Sequence, residues 1–436
     1  MLDAAALAAD LRENAFGGRR HSHRPPTIGA EVELLPMDAA TRRQVPIMAD
    51  DGPSTLPFLR AFAERWRWRE TASMYGMPNW VLPDGGTITF EPGGQIELSA
   101  PPFRSASALL QSLRATVRPL VAEAREHGIE LLSVGVDPQN AVNDLPLQLP
   151  GKRYVRLTRF MEDCGTGGTR MMRQTASFQC NLDWSGDAPA RWRFFNALSP
   201  YLTAIFANSP IYEGRDTGAR SYRACVWRAL DGGRTGIFAC AADPVPEYLD
   251  FALNAPAILM PEERDGWLPF RDWNVRGQAT SDDWKTHLTT LFPDVRPKGF
   301  VEVRSADAVA PEWYAAPVVF LGGLAYHEPS FAAARELVGA PDPALLDRAG
   351  RLGLRDSHIA ATARDLFALA LDAAAALGPA FLCPADVEEA RAFYETYTAR
   401  ALSPADDALA ELGGHDAADV RDGIDAAEQE ATVAAD

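Results

Sequence analysis

Alternating apolar and polar residues mark five short segments of the chain: TIGAEVELL from Thr27, GTITFEP from Gly86, GQIELSA from Gly94, ASFQCNLDW from Ala176 and GFVEVRSA from Gly299. A period of two predicts strands, and Gly and Pro punctuate the segments as turns. In the first, Glu31 and Glu33 share one face while Ala30, Val32 and Leu34 share the other. Pro92–Gly93–Gly94 is a turn signal that brings Glu91 and Glu97 towards each other. Glu97 alternates with Ile96 and Leu98; Gln179, Asn181 and Asp183 alternate with Phe178 and Leu182; Glu302 and Arg304 alternate with Val301 and Val303.

A different period separates these strands. Residues 3–16, Ser105 to His127 and Ala190 to Phe206 carry apolar residues at three- and four-residue intervals, which predicts helices. Gly17–Gly18, Gly128 and the Asn208–Ser209–Pro210 turn are their stop signals. From Trp313 onward the pattern is almost wholly helical and rich in Ala and Leu. The sequence therefore predicts an α+β fold with an antiparallel sheet in the first 310 residues and a helical cap behind it. One catalytic domain is expected over residues 1–403, with a sheet-bearing core at about 27–310 and a helical portion at about 313–403. Residues 404–436 read as an acidic, partly disordered tail, because large apolar residues nearly vanish there and acids outnumber arginine ten to one from Ser403.

Charge then narrows the function classes. The chain of 436 residues has 42 Lys and Arg against 59 Asp and Glu, a formal charge of −17. Phosphate backbones and anionic lipid surfaces repel such a chain, so neither a nucleic-acid nor a membrane partner is expected. Ile359 to Pro379 is apolar but contains Arg364, Asp365 and Asp372, and reads as a buried helix. The only lysines are Lys152, Lys285 and Lys298. None completes a phosphate-binding GxxxxGK[ST] loop, since Pro146 and Arg153 stand at its first and last positions around Lys152. Five cysteines, Cys164, Cys180, Cys225, Cys240 and Cys383, form no CxxC pair, and the N-terminus has no signal-peptide pattern. A reducing, cytoplasmic setting is the expectation. His21 and His23 alternate in a proline-bounded turn without further ligands nearby, and read as a solvated loop.

The acids carry the chemistry. A single strand with Glu31 and Glu33 outward could be any solvated face. Four strands that each pair an apolar face with one of acids and amides, with hardly a lysine among them, place like charges side by side, which is unfavourable without a cation. Oxygen-only ligands suit Mg²⁺, or Mn²⁺ in its place. Arginines supply the complement: Arg215, Arg220, Arg223, Arg228 and Arg234 fall within twenty residues, and Arg296, Lys298 and Arg304 crowd around Glu302. Any one of these is also accounted for by a surface ion pair. Together, acids, magnesium and arginines are what phosphoryl transfer to a carboxylate requires.

At these residues the sequence resembles the plant-type glutamate-cysteine ligases, including bacterial members that serve glutathione or ergothioneine synthesis. The resemblance runs from about Thr27 to Tyr326 and is carried by IGAEVE, ITFEPGGQIELS, RYVRLTRFM, FQCNLD, LTAIFANSPIYEG, DWKTHLTTLFPDVR and FVEVRSAD. It implies a curved antiparallel sheet of the glutamine-synthetase-like carboxylate-amine ligase type, with helices packed around it. It also implies that ATP, with Mg²⁺, phosphorylates the γ-carboxylate of L-glutamate. The amine of L-cysteine then attacks, giving γ-glutamylcysteine. By the same resemblance, Glu31, Glu33, Glu91, Glu97 and Glu302 look like the metal-binding acids. Arg304, with Gln179 and Asn181, looks like the set that meets the nucleotide, and Glu302 and Arg304 stand as the catalytic pair. Arg223 looks like the arginine for a glutamate carboxylate, with Arg153 a second substrate arginine. Lys298 and the Arg234–Thr235–Gly236 turn are left without a fixed role.

The plant enzymes' cysteine-bearing insertion after ALNAPAILM is shortened here, and Ala315 and Ala316 stand near their second cysteine position. Their redox-controlled disulfides are therefore not expected. Cys180 should face the apolar side as a core thiol. Two alternatives stay open: a ligase that joins glutamate to a different amine, and a non-enzymatic module that holds a cation on its acidic sheet. Monomer and homodimer are both compatible with the sequence.

Overall fold

The computed structural model describes residues 1–17, 26–72, 76–239, 242–259 and 266–413. His21, His23, Cys240 and the acids beyond Glu411 lie outside the described residues. Among the described residues, nine strands build the main sheet: β1 Ile28–Asp38, β2 Arg69–Ala72, β3 Pro78–Val81, β4 Thr87–Phe90, β5 Ile96–Ser99, β6 Ile129–Leu132, β7 Ser177–Leu182, β8 Val295–Pro297 and β9 Val301–Asp307. Their order is β8-β9-β7-β1-β5-β4-β3-β2, with β6 joined to the far end of β1 at Leu35–Asp38. Every pairing in this sheet is antiparallel. The α+β expectation and all five alternating segments are therefore found as expected.

The parity of β1 decides which side is core. Ala30, Val32 and Leu34, with Ile96, Leu98, Phe178, Cys180, Leu182, Val301 and Val303, are buried in one apolar cluster. Burial raises the Cys180 thiol far above its ordinary pKa, which keeps it protonated and inert. Onto this face pack the helices Ala106–Glu126, Ala188–Ile205 and Ala315–Tyr326. The first two open on side-chain caps, Ser105 Oγ accepting from Ala108 N and Asp187 from Ala190 N. Helix Ala315–Tyr326 is apolar on all sides and correspondingly buried all round. It lies against Ser357–Leu377, and a Cβ on Gly323 would stand 2.6 Å from the Ala370 carbonyl oxygen. Only glycine permits that approach. Among the described residues no helix is long and apolar enough to cross a membrane.

Within the first 310 residues the chain also forms helices that the alternation did not announce, among them Thr55–Arg65, Lys152–Asp163, Thr166–Gln174, Tyr222–Arg228 and Ser281–Leu288. Most are short, and several are rich in arginine, so their apolar stripes are narrow. The acidic segment after Ser403 begins in order: residues 404–413 are largely helical, and Asp406 accepts hydrogen bonds from Arg220 Nε at 3.1 Å and Ser403 N at 3.0 Å.

His287 reports on this packing. Its Nε2 lies 2.7 Å from the Ala252 carbonyl, its ring stacks on Phe270 at 4.6 Å, and Nδ1 is buried without a partner. Burial therefore lowers its pKa from 6.5 to about 4. Above pH 6.5 both folded and unfolded chains carry it neutral. As pH falls towards 4, only the unfolded chain gains the proton, so stability is lost across that window. Urea unfolding at pH 7 and pH 4.5 should show an acid loss about 2–3 kcal/mol larger in the wild type than in His287→Gln. Equal losses would show that the imidazole is already charged in the folded chain.

Candidate active site

The polar face of the sheet is assembled by register. Glu33 stands opposite Glu97, and Glu31 opposite Ser99 on one side and Gln179 on the other. Glu302 pairs with Asn181 across β9–β7 and with Arg296 across β8–β9. An irregularity in β9 after Val303 shifts its register against β7. Arg304 Nη1 nevertheless reaches back to Glu302 Oε2 at 2.8 Å and to Gln179 Oε1 at 2.7 Å.

The Glu91 turn closes one side. Gly94 adopts φ +91° and donates its N–H to the Glu91 carbonyl at 2.8 Å, while Glu91 N donates to Gln95 O at 2.9 Å. A Cβ on Gly93 would come within 2.2 Å of the Arg173 carbonyl oxygen. The PGG sequence is thus required by contact with the helix Thr166–Gln174 as well as by the turn. This helix joins Lys152–Asp163 and Tyr222–Arg228 in a second, smaller apolar cluster that faces the sheet. Between sheet and cluster lies a cavity of about 190 Å³. Glu31, Glu33, Glu91, Glu97 and Gln179 line one wall, Leu157, Met171, Met172, Trp227 and Phe292 the other, and Arg153, Arg296 and Arg304 the rim and floor.

Four of these carboxyls resist ionisation. Burial, then Glu302 and Glu97, raise Glu31 to about 7. Burial and three neighbouring glutamates raise Glu91 well above the carboxylate range, and burial followed by Glu33 raises Glu97. Glu33 is also raised by burial, although Arg223, Arg304 and Ser177 counteract it. Its Oε2 accepts from Ser177 N at 2.6 Å and Oγ at 3.0 Å.

Glu302 is the opposite case. Burial alone would raise it, yet Arg296, Arg304 and Lys298 hold it well below the usual range. Arg296 Nε donates to Oε2 at 2.6 Å and Lys298 Nζ to Oε1 at 2.8 Å, with Arg304 also on Oε2. Glu302, expected among the metal acids, stands at the centre of a three-cation network, outside the residues that line the cavity.

Two other expected residues also stand back from the cavity wall. Asn181 donates to Glu31 Oε1 at 3.2 Å, and its own Oδ1 is buried without a partner. Arg223, expected at a glutamate carboxylate, is held behind the wall. Its Nη2 donates to the Arg304 carbonyl at 3.0 Å, Nη1 lies 3.8 Å from Asp307, and its guanidinium sits 4.7 Å from the Trp227 ring. Arg153 does reach the rim, where it donates to Thr289 Oγ1 at 2.6 Å and to its carbonyl at 2.9 Å. Arg234 is absorbed by structure, donating to Thr290 and Pro256 carbonyls at 2.7 Å each. Among the described residues, no three acid, imidazole or thiol groups converge closely enough to enclose a metal ion as they stand.

Beyond the rim lies a second cavity of about 490 Å³, sharing Arg153, Thr289 and Arg296 with the first. The apolar wall of the first cavity and the whole second cavity are not apparent in strand parity. Most of their residues sit on helices, where Leu157, Met171 and Trp227 look like ordinary core. The available signal was Tyr154, Leu157 and Phe160–Met161 at helical spacing in an otherwise cationic segment.

Comparison with known proteins places the chain as a whole. Residues 27–407 match the sequence profile of glutamate-cysteine ligase family 2. The glutamate-cysteine ligase EgtA of Mycolicibacterium smegmatis is 35% identical over 347 residues, covering 75% of this chain and 78% of that protein. The chloroplastic glutamate-cysteine ligase of Arabidopsis thaliana is 32% identical over 370 residues, covering 79% and 69% respectively. The rice chloroplastic enzyme A is 33% identical over 320 residues, and the match spans only 63% of its length. A solved glutamate-cysteine ligase from Francisella tularensis, in complex with AMP, superimposes with a TM-score of 0.44 at 13% identity over 91% of this chain and 94% of that one, too loosely to carry an argument. With the profile spanning nearly the whole described chain, the protein belongs to glutamate-cysteine ligase family 2.

Proposed function

We propose that this protein joins the γ-carboxylate of L-glutamate to the amine of L-cysteine at the expense of ATP. The observation that supports this most directly is the cavity itself, in which half-buried acids on one wall face arginines at the rim and floor. In the first step a γ-carboxylate oxygen attacks the terminal phosphorus of ATP, the bond to ADP breaks, and γ-glutamyl phosphate forms. In the second the cysteine amine attacks the acyl carbon, phosphate leaves, and one proton is released to solvent.

Arg304 and Arg296, pre-set by Glu302, offer donors to the transferring phosphoryl oxygens. Arg153 takes a substrate carboxylate at the rim, and Arg223 acts from behind by fixing Arg304 and Trp227. The apolar wall excludes water from an acyl phosphate that water would otherwise hydrolyse. Glu31, Glu33, Glu91 and Glu97 fit Mg²⁺ in chemistry: they are half-buried oxygen donors, and costly to ionise without a cation. Bound there, Mg²⁺ would neutralise phosphate oxygens. Side-chain rotation would have to complete its coordination. The curved, glutamine-synthetase-like form of the sheet and a single catalytic domain over residues 1–403 belong to this reading.

The test is phosphate release from ATP and Mg²⁺ with glutamate, with and without cysteine and against other amines, with product masses determined. Release that needs both amino acids and yields γ-glutamylcysteine is the expected result. A better acceptor amine would change the substrate and keep the chemistry; no turnover with any amine would leave a cation-binding module. Independently of activity, saturating Mg²⁺ should raise the melting temperature by about 3 °C. Glu91→Gln should abolish that rise; an equal rise in the variant would remove Glu91 from the metal set.

A further inference from the structure

Among the four acids on the cavity wall, Glu91 is held differently from the rest. Glu33 accepts from Ser177, Glu97 from Thr89 Oγ1 at 3.3 Å and Ser99 Oγ at 2.8 Å, and Glu31 from Asn181. Among the described residues no hydrogen bond falls on the Glu91 carboxyl. Its place is therefore set by its backbone, and whatever holds the Pro92–Gly93–Gly94 turn holds Glu91. From this contrast, and resting on the ligase reading and its metal acids, we infer that Gln95 is a positioning residue. Its side-chain amide ties the Glu91 turn to the helix that carries part of the apolar wall.

Gln95 is only 2% exposed, yet it lines the cavity. Its Oε1 accepts from Gly93 N at 2.9 Å, and its Nε2 donates to the Thr175 carbonyl at 2.9 Å and the Met172 carbonyl at 3.4 Å. One amide thus joins the turn to the C-terminal end of Thr166–Gln174. A helix leaves its last four carbonyls without partners in its own ladder. Here Thr175 Oγ1 donates to Met171, Gln95 to Met172, Gln44 to Arg173 and Asp137 N to Gln174. Gln44 Nε2 also donates to the Gly93 carbonyl at 2.8 Å, beside Gln148 Nε2 at 2.7 Å. These two are redundant at that carbonyl and neither lines the cavity, whereas Gln95 alone takes the Gly93 N–H. With its oxygen and nitrogen both committed to backbone, Gln95 acts on the site through the groups it ties down. Met172 and Thr175 line the cavity too, so the amide fixes how far Glu91 stands from the apolar wall.

The experiment is calorimetric titration of the full chain with Mg²⁺, run beside the Mg²⁺ and glutamate dependence of phosphate release. Gln95→Met keeps the length of the side chain and removes the amide; Gln95→Asn keeps an amide one methylene too short to span both contacts. Both should bind Mg²⁺ about 10–100-fold more weakly, as expected on losing a group that orients a metal ligand. The Mg²⁺ concentration for half-maximal rate should rise by the same factor, while the glutamate KM changes by less than about threefold. Gln44→Ala, which leaves Gln148 on the Gly93 carbonyl, should bind Mg²⁺ within about twofold of the wild type. Circular dichroism on the same samples establishes that each variant is folded. An amide that served stability alone would leave Mg²⁺ affinity unmoved. Folded Gln95 variants with wild-type affinity would therefore overturn the inference, as would an equal loss in Gln44→Ala or a wild type that binds no Mg²⁺. Ligase turnover with unaffected Mg²⁺ binding in the Gln95 variants sinks this inference alone. Mg²⁺ binding that depends on Gln95, without glutamate-dependent phosphate release, supports it and sinks the ligase reading alone.

Discussion

Glu302→Gln is expected to abolish turnover, with phosphate release falling by at least about 10³-fold. The change keeps the side chain's shape and deletes one charge. That charge is fully buried and is shared by Arg296, Lys298 and Arg304. Without it three cations confront one another around a neutral amide. Removing one partner of a buried ion pair costs about 3–5 kcal/mol. A protein of this size with an extensive core should survive that loss, so the variant should remain folded but less stable in urea. Rate and stability must be measured on the same preparation. A folded variant with activity within tenfold of wild type would show that the network is dispensable.

Arg304→Lys should be nearly as damaging, and more selectively. Arg304 uses one nitrogen, Nη1, to hold both Glu302 and Gln179, which leaves it further donors in a fixed plane that a single ammonium lacks. If its remaining donors stabilise charge only while phosphate transfers, kcat falls by about 10²–10³-fold and the glutamate KM moves by less than about threefold. A KM rise with unchanged kcat would assign Arg304 to substrate binding alone.

Strand parity made the acidic face legible, because a period of two fixes a side chain's direction without knowledge of its partners. Glu31, Glu33, Glu97 and Gln179 followed from it, and the PGG turn added Glu91. What parity could not give was the competition among charges. That Glu302 is saturated by cations whereas Glu31 and Glu91 are not depends on where β8 is laid, and Arg296 reaches Glu302 through cross-strand register. Arg223 shows the same limit from the other side. Its place among clustered arginines was visible, but its retreat behind the wall depends on Asp307, a buried acid at the end of β9. The N-terminal segment was legible as a helix; its place beside the second cavity rests on hydrogen bonds to residues more than 250 positions away.

The central position of β1 has a consequence for how the chain is made. This strand leaves the ribosome early, and its partner β7 lies about 150 residues downstream, with β9 beyond that. At about 5–20 residues per second, between roughly 8 and 30 s pass between synthesis of Ile28 and of Leu182, where β7 is complete. Throughout that interval one edge of an apolar strand has no neighbour, and closing so long a loop is entropically slow. Synthesis in a heterologous host should therefore depend on holdase chaperones or on low temperature during growth, whatever the stability of the finished protein.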